Sequence, residues 1–255
     1  MKTKLFFSLL IAGFLLIPIG LMSQTLIRNM LIYEKGGKIT SIPVNQIEKI
    51  VFDGPQIGIT HNIVTDADGN TYGIIKIGHQ VWMASNLKTT KYNDGTPIKN
   101  IRENDVWAKL YDGAYCWYMN NSDNKETLGA LYNWFAVNTG KLCPQGWHMP
   151  RKDEWNTLAN YLQPNNADKL KIVGRTYWKN NLESVTNESG FSAMPGGARQ
   201  LNGGFYFEGS YGQWWSSDKG SDHSGVGILI YDNNISLFIQ SIYKVGGASV
   251  RCIRD

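Results

Sequence analysis

Beyond Pro164 the chain is punctuated by glycine and by Asn, Gly and Ser turns, with only short apolar runs between them. Such runs are too brief for helices and read as strands. They fall at Phe205 to Phe207, Gln213 to Ser216, Val226 to Tyr231, Ile235 to Ile239 and Ala248 to Ile253. Asp232-Asn233-Asn234 separates two of them as a hairpin turn. Ahead of Pro164 the spacing is helical. Leu128, Leu131, Trp134, Phe135 and Asn138 recur at helical intervals, with Gly140 where a C-terminal cap belongs. Trp155, Leu158, Ala159 and Leu162 form a second such stripe. Pro150 precedes it, Asp153 and Glu154 suit its N-terminal dipole, and Pro164 stops it. Helices followed by a series of strands predict an α+β fold.

The first residues have a different character. Lys2 and Lys4 precede an uncharged run from Leu5 to Met22, interrupted by Pro18 and Gly20 and followed by Ser23 and Gln24. This is the layout of a secretory signal over residues 1–23, with cleavage expected after Ser23. Leu21 is large for its position, so an uncleaved N-terminal anchor is the rival reading. No cysteine lies near the exit, which argues against a lipoprotein anchor. Once the leader is removed no transmembrane segment is expected. The chain is then expected to be secreted or displayed on the cell surface.

Residues 24–54 read as a small β-hairpin module. Met30 to Tyr33 and Lys38 to Ile42 flank a Gly36-Gly37 turn, and Val44 to Ile50 could form a helical turn or two. Residues 55–63 read as a linker, and residues 64–255 as the main domain. Within it, Asp66-Ala67-Asp68-Gly69-Asn70 has the opening of a calcium loop. Thr71 and Ile77 stand where an EF-hand needs Gly and Glu, so a hairpin turn is expected instead. The net charge is +4, of which Lys2 and Lys4 supply two, and no window concentrates Lys and Arg. A nucleic-acid partner is not expected.

Several stretches follow one another in a specific order: Gln80-Val81-Trp82-Met83-Ala84-Ser85-Asn86-Leu87, Gly129-Ala130-Leu131-Tyr132-Asn133-Trp134, and Leu142-Cys143-Pro144-Gln145-Gly146-Trp147-His148-Met149-Pro150. Pro195-Gly196-Gly197, Trp214-Trp215-Ser216-Ser217 and Val250-Arg251-Cys252-Ile253-Arg254-Asp255 complete the series. Over residues 64–255 the chain resembles the Fibrobacter succinogenes major paralogous domain. Residues 26–54 resemble a short module of secreted Bacteroidota proteins. Ser85 and Arg151 stand where the pattern more often has Glu and a capping Ser or Thr, so Arg151 is expected to cost a helix cap.

The resemblance implies a C-type-lectin-like fold akin to the sulfatase-modifying factors: two helices on a twisted, mostly antiparallel sheet with long loops. It implies a bacterial surface or secreted location and no settled biochemical activity. It also implies a disulfide between Cys143 and Cys252. Cys116 is then the odd thiol, though it could replace either partner, and three reduced buried thiols remain the alternative.

A glycan or a surface protein is the expected partner. Tyr206, Trp214, Trp215, Tyr231, Asp232, Asn233 and Asn234 are the ligand-binding candidates, because sugars take aromatic faces and polar side chains. Most of the nine tryptophans, among them Trp82, Trp107, Trp117, Trp134, Trp147 and Trp155, lie in apolar patterns and are expected in the core. Asp218, Asp222, Asp232 and Asn233 match no calcium-loop spacing, and no cofactor or metal is expected. No nucleophile elbow, zincin motif or phosphate loop occurs, and His148 is expected to be structural. A polysaccharide-active enzyme and a structural surface protein without a soluble ligand are the alternatives to an interaction module.

Overall fold

The structure is a computed structural model that describes residues 29–33, 39–43 and 63–255, apart from 175, 181 and 182. The expected leader over 1–23, the stretch 44–50 and the linker up to residue 62 lie outside the described residues. By its contacts the chain divides into two units, Met1–Ile59 and Thr60–Asp255. In the first, β1 (Asn29–Tyr33) and β2 (Ile39–Pro43) pair antiparallel, with Tyr33 opposite Ile39.

The second unit opens with β3 (Ile63–Thr65), β4 (Thr71–Ile77) and β5 (Gln80–Met83). The polar turn at 66–70 joins β3 to β4, and the Asp66 carboxylate accepts the amides of Asp68 and Asn70, each at 2.9 Å. An Asx turn of this kind needs no metal. Next come β6 (Lys99–Asn100), α1 (Asn104–Ala108), β7 (Ala114–Trp117), α2 (Lys125–Leu128), β8 (Ala130–Tyr132) and α3 (Trp134–Val137). Then follow β9 (Trp147–His148), α4 (Lys152–Tyr161) and α5 (Asn166–Leu170). The last third is strand: β10 (Gly196–Arg199), β11 (Phe205–Glu208), β12 (Tyr211–Lys219), β13 (Ser224–Tyr231), β14 (Leu237–Tyr243) and β15 (Ile253–Arg254).

The strands of this unit form three sheets, ordered β3-β4-β5-β15-β9, β11-β10-β12-β13-β14 and β6-β7-β8. Most pairings are antiparallel; β6 with β7 and β10 with β12 are parallel. The result is a sheet-rich α+β domain. Alternation on β12 sends Trp214 into one apolar cluster and Trp215 into another on the opposite face. Trp214 faces Phe191, which contacts Trp82 and Trp155 with ring centroids 5.9 Å away in each case. Trp215 packs against Trp134 at 5.4 Å.

The stripe from Leu128 to Asn138 is not one helix. Gly129, at φ +74°, ends α2, and the chain then runs as β8 beside β7 before α3 begins. A Cβ at Gly129 would lie 2.7 Å from Asn86 Cβ and 2.9 Å from the Leu87 carbonyl, so only glycine lets the chain pass there. The second stripe is helical as expected, as α4. Its cap is better than Arg151 alone suggests. The Arg151 amide donates to Glu154 at 2.8 Å, and the Lys152 amide donates to Asp218 of β12 at 2.6 Å. The strand expected at 235–239 begins later, at Leu237, because Ile235 and Ser236 belong to the turn: the Asn234 side chain accepts the Ser236 amide at 2.9 Å. Of the run 248–253 only Ile253 enters a strand; Ala248 and Ser249 make single bridges to Tyr132 and Trp214.

Candidate functional site

The register across β12, β13 and β14 decides which side chains share a face. Tyr211 lies opposite Tyr231, Gln213 opposite Leu229, and Gly227 opposite Gln240. The side chains of Tyr211, Gln213, Leu229, Tyr231 and Gln240 therefore share one side, with Gly227 leaving room among them. A groove of about 550 Å³ opens there, walled by Gln200, Leu201 and Phe207 on one flank and by Asn233 and Tyr243 on others. That volume falls within the range of small-molecule and oligomer sites.

Aromatic rings run along the groove in contact. Phe207 stacks on Tyr211 at 4.9 Å and 28°, Tyr211 meets Tyr231 edge-on at 5.6 Å, and Tyr231 meets Phe238 at 5.7 Å. Tyr206 extends the row, 5.8 Å from Phe207. Tyr206, Phe207, Phe238 and Tyr243 are each 40–58% exposed, an unusual concentration of solvated aromatic surface. Amides lie beside them, and Gln200 donates to the Tyr211 hydroxyl at 3.1 Å. Burial pushes the Tyr211 phenol up, with Tyr231 adding to the effect, so it stays protonated.

The two charged side chains bordering the groove are already engaged. Arg199 is buried between the Trp107 and Phe205 rings and donates to the carbonyls of Gly203, Ile101 and Arg102. Asp232 is buried and accepts from Asn180 at 2.8 Å. Beneath the turn, the fully buried Lys171 pairs with Asp168 at 3.2 Å and donates to the carbonyl of Asn234 at 2.7 Å. Burial lowers the Lys171 pKa, with Asp168 opposing.

The groove brings together Tyr231, Asp232 and Asn233 of the sequence candidates, with Tyr206 at its edge. Asn234 holds the turn from within and does not line it. Trp214 and Trp215 require correction: both are completely buried. Their indole N–H groups donate to Asn86 (2.9 Å) and to the Tyr132 carbonyl (2.7 Å), so neither offers a face to a ligand. Sequence reasoning passed over Phe207, Tyr211 and Gln213. The period-2 pattern Tyr211-Gly212-Gln213-Trp214-Trp215 was the available signal, since it puts Tyr211 and Gln213 on one side.

The other candidates have structural roles. Asp218 caps α4 and accepts from Ser216, and Asp222 pairs with Lys219 at 3.0 Å. Both ring nitrogens of His148 face carboxylates, Asp255 at 2.6 Å and Glu154 at 3.0 Å, which ties β9 to α4 and the chain end. Among the described residues no group of three or more His, Cys, Asp or Glu is placed to hold a metal ion. Cys143 and Cys252 form a disulfide, and Cys116 is free and buried, its thiol pushed up to about 12 by desolvation although Arg199 opposes the shift.

Fold and groove together define a sheet-rich α+β domain with a concave aromatic surface. Residues 75–254 match the Fibrobacter succinogenes major domain, and the chain belongs to that family. No curated protein and no solved structure matches it significantly.

Proposed function

We propose that this protein is an exported, non-catalytic interaction module on a C-type-lectin-like scaffold, and that it binds glycan through the groove on the β10–β14 sheet. The observation that carries the reading is the contiguous row of aromatic rings, exposed at Tyr206, Phe207 and Phe238, beside neutral amides. Sugar rings present one apolar face and a rim of hydroxyls, which such a surface matches. Export is supported by the charged and then apolar residues 1–23 and by a disulfide, which persists in oxidising compartments. Among the described residues no helix is long and apolar enough to cross a membrane. The domain is proposed to span residues 64–255, with 24–54 as a separate small module.

A glycan array probed with the full chain, with and without calcium, tests this. Retention on sugars independent of calcium is expected. Capture by immobilised surface protein alone would replace the ligand class, and shortening of a polysaccharide by the purified chain would replace the non-catalytic reading with an enzymatic one.

A further inference from the structure

We propose that Phe207 is the ligand-stacking platform of the groove, held by a left-handed backbone, and that its ligand is an uncharged glycan chain. This deepens the glycan reading above and rests on it. Phe207 has φ +73°, a conformation that bulky residues rarely adopt and that glycine adopts freely. The conformation is imposed from β10. A Cβ at Gly197 would lie 2.3 Å from the Tyr206 carbonyl and 2.7 Å from the Glu208 amide, so β11 runs alongside β10 too closely for any side chain there. The Gly197 position is itself left-handed, at φ +60°. The backbone at 207 thus calls for glycine, yet a phenylalanine stands there.

Core packing does not account for the ring, which is 48% exposed. One face stacks on Tyr211 at 4.9 Å. A strained backbone retained under an exposed aromatic ring is the pattern of a functional position. The ligand's charge follows from what the groove offers. Arg199 and Asp232 are 1% and 7% exposed and hydrogen-bonded within the protein. The remaining groups are amides and hydroxyls, including Gln200, Gln240, Asn233 and Tyr243. They pair with sugar hydroxyls, whereas a uronate or sulfate would lose hydration without gaining a counter-charge.

The test uses the full chain and the variants Phe207→Gly, Phe207→Ala and Phe207→Trp. Affinity electrophoresis in soluble neutral chains (β-glucan, xylan, galactomannan) and in charged ones (polygalacturonate, chondroitin sulfate) is paired with thermal melts. The parent chain should be retarded by a neutral polysaccharide. Phe207→Gly should melt at the same or a higher temperature while binding weakens about tenfold or more. Phe207→Ala should lose binding without the gain in melting temperature, and Phe207→Trp should keep binding. Unchanged binding by Phe207→Gly overturns the platform role and leaves the glycan reading standing. A markedly lower melting temperature for Phe207→Gly overturns it too, since the ring would then be structural. Retardation by charged chains only overturns the ligand class, and retardation by neither removes the glycan reading as well.

Discussion

Asn86 has one side-chain oxygen that accepts from three donors: Trp214 Nε1 at 2.9 Å, Arg251 Nε at 3.1 Å and Arg251 Nη2 at 2.7 Å. Its amide nitrogen donates to the Leu128 carbonyl at 2.8 Å. Arg251 is completely buried, stacks 4.1 Å from the Phe191 ring centre, and also donates to the carbonyls of Met83 and Phe191. Desolvation lowers its pKa to about 9. Removing the amide leaves an indole N–H and two N–H groups of the buried guanidinium without their acceptor. Asn86→Ala should therefore cost about 3–5 kcal/mol in chemical denaturation, at roughly 1–3 kcal/mol for each buried group left unsatisfied; a loss under about 1 kcal/mol would show that water replaces the amide. Asp68 gives a pH signature. Burial alone would raise its carboxyl, but the Thr90 amide and hydroxyl and the Lys91 ammonium outweigh it and hold the group below its ordinary 3.8. The folded chain then binds that proton more weakly than the unfolded one. Asp68 contributes stability above its ordinary value, and this is lost as pH falls through the lowered one. The stability gap between the parent chain and Asp68→Asn should shrink when urea melts move from neutral pH to about pH 3. A gap independent of pH would contradict the assignment.

At the scale of elements, α4 shows how a distant strand supplies a missing cap. Asp218 accepts the Lys152 amide at 2.6 Å and is itself held by Ser216 at 2.7 Å. Asp218→Ala should lower stability by about 1 kcal/mol, measured by thermal or urea melts, as for loss of a local cap. The helix was legible in sequence because one face is apolar and Pro150 and Pro164 bracket it. The segment 128–138 was misread for a physical reason. Ala130, Leu131 and Tyr132 are all buried, so β8 shows no polar alternation and mimics a buried helix. Asn133 restarts the helical turn, its Oδ1 accepting the Ala136 amide at 3.1 Å, and nothing in the local spacing marks that break. The site was legible in part. Asp232 and Asn233 stand out as a turn, and Tyr206 as an aromatic near one. Phe207 and Tyr211 meet across the short turn between β11 and β12, closed by the Ser210 amide on the Phe207 carbonyl at 2.9 Å, and the strand spacing does not mark that contact. Trp214 and Trp215 looked like a platform as an adjacent pair. A strand sends adjacent residues to opposite faces, and here both faces are covered.

Across the whole molecule, β15 lies between β5 and β9, so the last strand completes the sheet begun by the first ones of the domain. Cys252 precedes that strand and bonds to Cys143, 109 residues earlier. Closing so long a loop restricts the unfolded chain, and the Cys143→Ser/Cys252→Ser double variant should lose about 4–5 kcal/mol on the chain-entropy model. Equal denaturation midpoints for the two proteins would rule out that contribution. The same bond shapes how the domain carries mechanical load. The groove residues from 199 to 246 all lie between the two cysteines in the chain. Tension travelling along the backbone crosses at the disulfide and bypasses the intervening segment. A force pulling on both ends of the domain runs through the residues up to Cys143 and from Cys252 onward, while strands β10 to β14, which carry the groove, lie off that path.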